Sequence, residues 1–108
     1  MRLAAQIKGG FYPAHPRAVD MALERIEKPA GAVAVLDPCC GKGAALTQLH
    51  EALGGSAWGI ELDEVRLAEA RQTLSKGRIL GPASFLSNLG GTWRSFSLIW
   101  LNPPFDDE

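Results

Sequence analysis

Cysteine is scarce: only Cys39 and Cys40 are present, and they are adjacent. Neighbours in sequence cannot staple distant segments, so a disulfide framework is excluded. No Cys/His spacing suits zinc, which leaves no metal site to expect. No apolar run reaches about 18 residues, so a transmembrane helix is not expected. The first eight residues, Met-Arg-Leu-Ala-Ala-Gln-Ile-Lys, lack an apolar h-region, so no signal peptide is expected and a cytoplasmic location is the default. Charge of one sign is lacking too: 11 basic against 12 acidic residues leave a formal net charge of -1. That is no electrostatic footprint for nucleic acid. A nucleic-acid substrate would have to find most of its phosphate contacts in a local patch, a partner chain or another segment.

What is present is the composition of a folded domain. Hydrophobic residues make up 46% and charged residues 21%, and 108 residues suit one domain with one modest core. There is no internal repeat or low-complexity tract. Pro16 suits a first helical turn. Ala18, Val19, Ala22, Leu23 and Ile26 follow at helical spacing, with Pro29 and Gly31 as stops. Residues 32–36 form a valine-rich run without polar alternation, as in a strand covered on both faces. Residues 44–53 read as a helix that Gly54 and Gly55 end. A strand over 57–60 follows, then Asp63 as an N-cap and a helix over 64–74. Residues 78–80 give a third strand and 97–101 a fourth. Strands alternating with helices predict βαβ units and a parallel sheet.

Two places carry chemistry. The first is Asp37-Pro38-Cys39-Cys40-Gly41-Lys42-Gly43, after the first strand and before a helix, where open α/β sheets bind ligands. Glu61 follows 20 residues after Gly41, at the end of the second strand, where an acid can accept the hydroxyls of a ribose. A P-loop fails, because Lys42 is followed by Gly43 and Leu36 stands where the first glycine belongs. A dinucleotide fingerprint lacks its third small residue, since Leu46 occupies that place. Asp37 would repel a pyrophosphate but suits a ligand with an ammonium and a sulfonium, which S-adenosyl-L-methionine carries. The plainer alternative is a structural glycine turn. Cys39 and Cys40 read as loop fillers, Lys42 as a solvated lysine, and His50 as a surface residue.

The second is Asn102-Pro103-Pro104-Phe105, leaving the fourth strand. Two prolines remove two N–H donors and stiffen the turn. The Asn102 side-chain oxygen and the Pro103 carbonyl can each accept one N–H of a planar exocyclic amine, aligning it with the methyl donor and stabilising the developing positive charge. Phe105 can stack on a flat base. The plainer alternative is a proline-rich strand exit with Phe105 in the core.

Phe11-Tyr12-Pro13, the Asp37–Gly43 loop, Glu61 and Asn102-Pro103-Pro104-Phe105, in this order, resemble the motifs of class I N6-adenine DNA methyltransferases, and are most similar to a group of bacterial, often plasmid-borne, methyltransferase-like proteins. The likeness covers almost the whole chain. RNA guanine-N2 and release-factor glutamine methyltransferases share a similar Asn-Pro-Pro-aromatic. The resemblance implies an α/β, Rossmann-like parallel sheet with flanking helices and strand order 3-2-1-4. It implies one partial methyltransferase domain over 1–108, transferring a methyl from S-adenosyl-L-methionine to adenine N6 in DNA. Phe11 and Tyr12 would flank the methionine part of the cofactor above Asp37, Pro38, Gly41 and Gly43. Glu61 would hold the ribose, and Leu62 would pack on the adenine. Asn102, Pro103, Pro104 and Phe105 would form the catalytic elbow.

Two departures matter. The family places an Asp after the third strand, whereas Ala83 occupies that position here, which implies weaker cofactor binding. The family fold has seven strands, so about four imply a truncated sheet with 97–101 as an open edge, and a fragment or a homo-oligomer paired through it. A non-catalytic binding module is the main rival function, and a nicotinamide-binding domain a weaker one.

Overall fold

The computed structural model describes residues 13–84 and 96–102. Helix α1 (Pro16–Leu23) starts with Pro16 in its first turn and with His15 as N-cap, whose Nδ1 accepts from Arg17 N at 3.1 Å. It is shorter than the periodicity predicts. Beyond Leu23 the bonds tighten to three-residue turns, Arg25 N to Ala22 O and Ile26 N to Leu23 O, as frayed helix ends do.

Strand β1 (Ala34–Asp37) lies two residues later at its start than the apolar run predicts and reaches one further. Its partners decide this. Helix α2 (Ala44–Leu53) leads to β2 (Ser56–Ile60), which pairs with β1 in parallel from Ala34↔Ser56 to Asp37↔Gly59. Asp37 is therefore the last strand residue and not the first loop residue. Helix α3 (Glu64–Thr73) and β3 (Arg78–Leu80) follow, β3 pairing with β2 from Trp58↔Arg78 to Ile60↔Leu80. Strand β4 (Leu98–Ile99) pairs with β1 on its other side. The order is β3-β2-β1-β4, all parallel, as expected.

The two crossovers run in the same direction along the sheet, so right-handed connection puts α2 and α3 on one face. Val35, Ala57 and Ile79 point to that face and pack with Leu46, Leu49 and Leu53 of α2 and with Leu67, Ala70 and Leu74. Helix α1 joins them through Val19 and is tied to α2 by Gln48 Nε2, which donates to Pro16 O at 2.9 Å and Asp20 Oδ1 at 2.6 Å. Period-two alternation sends Leu36, Trp58 and Ile60 to the opposite face. There the Arg78 guanidinium lies 5.3 Å from the Trp58 ring, and Phe96 meets that ring edge-on at 6.0 Å. His50, expected at the surface, is half-buried, with Nδ1 shielded from solvent. Among the described residues no helix is long and apolar enough to cross a membrane, no His/Cys/Asp/Glu cluster could hold a metal, and no fifth strand pairs with β4.

Candidate functional site

Parallel strands all end at the same edge, and that edge gathers the acids. Asp37 closes β1, nearly inaccessible, and its Oδ1 accepts from Cys39 N at 3.1 Å, the local turn that Asp side chains favour. The loop then hooks onto the neighbouring strand: Cys40 N donates to Ile60 O at 2.9 Å. Gly41 (φ 58) and Gly43 (φ 90) take the left-handed conformations that start α2, and a Cβ on Gly43 would stand 3.3 Å from Leu74 Cδ1. The Cys40 side chain packs onto Gly59, where a Cβ would meet its Sγ at 2.8 Å.

Glu61 is the centre of the loop's support. Its Oε1 accepts from Gly41 N at 2.8 Å, and its Oε2 from Asp63 N at 2.8 Å and Arg66 Nε at 3.3 Å. The 20-residue spacing read from the sequence is thus a direct contact. Asp63 caps α3 as expected, its Oδ2 accepting from Arg66 N at 3.0 Å. Ala83 reaches the same place, its N–H donating to Glu61 O at 3.0 Å.

Burial pushes the Asp37 carboxyl up to about 7, against the Cys39 N–H that lowers it and with the charge of Glu61 adding to the rise. Burial and then the two acids push the Cys39 thiol to about 11 and the Cys40 thiol to about 12. Both thiols stay protonated at neutral pH, as loop fillers would. Lys42 and Glu69 stand 3.9 Å apart, half-exposed, a pair of little energetic weight.

Strand β4 extends past its two ladder residues: Trp100 N donates to Leu36 O at 2.8 Å. Asn102, half-buried two residues on, therefore leaves the sheet at the same edge as Asp37 and the strand next to it. Leu62 is 65% exposed, open to a ligand's flat face. Pro38, within the loop, is buried. Phe11, Tyr12, Pro103, Pro104 and Phe105 lie outside the described residues. The structure brings together Asp37, Gly41, Gly43 and Glu61, with Leu62 on the rim and Asn102 one strand away. Two residues were not foreseen. A glycine inside a strand signals close approach, which could have flagged Gly59. Arg66 had no signal, because only the cap at Asp63 turns position 66 back over Glu61.

The edge offers acceptors and negative charge around backbone that can be approached closely. Among the described residues Asp37 takes one hydrogen bond, so it has capacity for a donor from a ligand. Such a set fits a cationic, hydroxyl-bearing molecule and opposes a pyrophosphate.

The same architecture occurs in solved methyltransferases. A TehB-like SAM-dependent methyltransferase from Corynebacterium glutamicum superposes with a TM-score of 0.62 at 19% identity, over 93% of this chain and 49% of that one. An RNA methyltransferase from Salinibacter ruber, in complex with S-adenosyl-L-homocysteine, gives 0.59 at 18% identity, over 69% and 52%. The sugar N-methyltransferase KedS8 from Streptoalloteichus sp. gives 0.59 at 25%, over 94% and 38%. The chain thus spans about half the length of the first two. No curated protein matches it in sequence. A family model described as "Uncharacterised methyltransferase family (DUF6094)" matches residues 1–107.

Proposed function

The chain belongs to an uncharacterised methyltransferase family, and on that premise we propose that it binds S-adenosyl-L-methionine at the carboxyl edge of its sheet and serves methyl transfer to an exocyclic amine, adenine N6 in DNA. The observation that carries the proposal is the contact of Gly41 N with Glu61 Oε1, which ties the glycine loop after Asp37 to the acid at the end of the next strand. The donor set agrees with the cofactor: an ammonium and a sulfonium suit two carboxylates, and a ribose diol suits an acceptor. A folded neighbour holding S-adenosyl-L-homocysteine supports the same reading.

When bound, the cofactor supplies a methyl group activated on sulfur. The chain's own residues do the rest. Asp37 neutralises positive charge, Glu61 accepts from the ribose, and Leu62 covers the adenine. Asn102 and Pro103 hold the amine through its two N–H groups, so that its nitrogen faces the methyl and gains positive charge beside two acceptors. The proton leaves after transfer, so no strong base is required. The amine class rests on Asn102-Pro103-Pro104-Phe105, and the likeness to an RNA methyltransferase and a sugar N-methyltransferase sets the rivals to be tested.

Titration calorimetry with S-adenosyl-L-methionine is expected to show binding that weakens more than about tenfold in Glu61→Ala, the loss of one charged acceptor. Labelled methyl is expected to enter adenine-containing DNA in preference to RNA, peptide glutamine or amino sugars, and to fall about 10²-fold in Asn102→Ala. Absence of cofactor binding refutes the first half; methylation of another amine refutes the second.

A further inference from the structure

With a ribose bound, Glu61 would face more donors than it has acceptor sites. A carboxylate has about four lone-pair sites. Gly41 N, Asp63 N and Arg66 Nε fill three of them, leaving one. A ribose diol brings two donors. Five donors for four sites means that one protein donor must yield when both hydroxyls engage. The two backbone donors are fixed, one by the loop that opens α2 and one by the cap that starts α3, and both bonds are 2.8 Å. The Arg66 bond is 3.3 Å, long for a charged pair, whose usual range is about 2.7–2.9 Å. Its side chain also keeps 13% of its surface exposed against 7% for Glu61, so it has a way out towards solvent.

We infer that Arg66 is a displaceable clasp on Glu61, and that its displacement sets how strongly the site selects ligands carrying an intact ribose diol. The inference rests on the cofactor reading given above. In the ligand-free chain the guanidinium satisfies the buried acid and holds it in place under Gly41. On binding, a hydroxyl takes over the Arg66 position on Oε2 while the second takes the remaining site. Part of the first hydroxyl's hydrogen-bond energy therefore replaces a bond already made, which discounts the diol. Arg66 acts on the ligand through Glu61 and is a specificity-determining residue, not a catalytic one.

The test compares two neutral-sulfur probes, S-adenosyl-L-homocysteine and its 2′,3′-dideoxy analogue, by titration calorimetry against the full chain and Arg66→Met. Charge effects of the substitution act on both ligands alike and cancel in the ratio of their affinities. The ratio is expected to rise about tenfold in Arg66→Met, the worth of one bond to a charged group. If the variant does not fold, as far-ultraviolet dichroism would show, Arg66→Leu, which likewise has no donor, carries the same test with the same direction. An unchanged or smaller ratio, with the unaltered chain still binding S-adenosyl-L-homocysteine, overturns the clasp and leaves the cofactor reading standing. No binding of either probe by the unaltered chain or the variant overturns both.

Discussion

Asp37 shows what a site can cost a small protein. Its carboxyl is buried and lies beside a second acid, and both push it from its ordinary 3.8 to about 7. Because the folded value lies above the unfolded one, the group's contribution to stability is full below about pH 4 and is lost as pH rises through about 7. Replacing the charge by a neutral group that can still accept from Cys39 N removes that loss. Asp37→Asn is expected to raise Tm at pH 8 by an amount on the order of 5 °C, and to lose this advantage near pH 4, as followed by thermal melts at both values. The same acid ties cofactor binding to pH. A cation beside it favours the ionised form, so affinity for S-adenosyl-L-methionine is expected to climb roughly tenfold between about pH 6 and pH 8 in calorimetry. Asp37→Asn is expected to flatten that slope and to bind more weakly at the upper end. A slope that persists in the variant would locate the titrating group elsewhere.

At the scale of elements, the loop is held by what its neighbours leave out. Cys40 packs onto the sheet where Gly59 has no side chain, and Gly43 lies against α3 where it has none. Gly59→Ala drives a methyl to within 2.8 Å of Cys40 Sγ and is expected to destabilise the fold by about 1–3 kcal/mol in urea melts. Cys40→Ala removes that sulfur, so the double variant is expected to fall short of the summed single costs; strict additivity would mean that the two do not meet. Helix α3 depends on Asp63, whose side chain caps Arg66 N and whose own N–H holds Glu61. Asp63→Ala is expected to cost about 1 kcal/mol for the cap. It should also loosen Glu61, since the start of α3 positions the amide that Oε2 accepts.

At the scale of the molecule, the four parallel strands among the described residues end at one edge, and the site follows from that polarity. Charge does not follow the proposed substrate. With 11 basic and 12 acidic residues, the chain has no net attraction for a polyanion. Its DNA affinity at physiological salt is expected to be weaker than about 10⁻⁴ M, the weak end of non-specific binding, in a mobility-shift titration. Cofactor binding is expected to depend little on salt, because Glu61 and Asp37 are buried and poorly screened. Tight DNA binding by these 108 residues would point to a basic surface that the total charge conceals.

Local order along the chain foretold the alternation of strands and helices, the first-turn place of Pro16, the cap at Asp63, and the pairing of a glycine loop with an acid 20 residues on. These are short-range matters: periodicity, turn chemistry and the length of one βα unit fix them. The ends of β1 were beyond its reach, since Ala34 and Asp37 are selected by what Ser56 and Gly59 offer across the sheet. So were the fit of Cys40 onto Gly59, the shielding of His50, and the guanidinium of Arg66 over Glu61. Each depends on contacts between segments that approach only when the crossovers close. Spacing along a chain carries the acid to its strand end; only packing decides which donors reach it there.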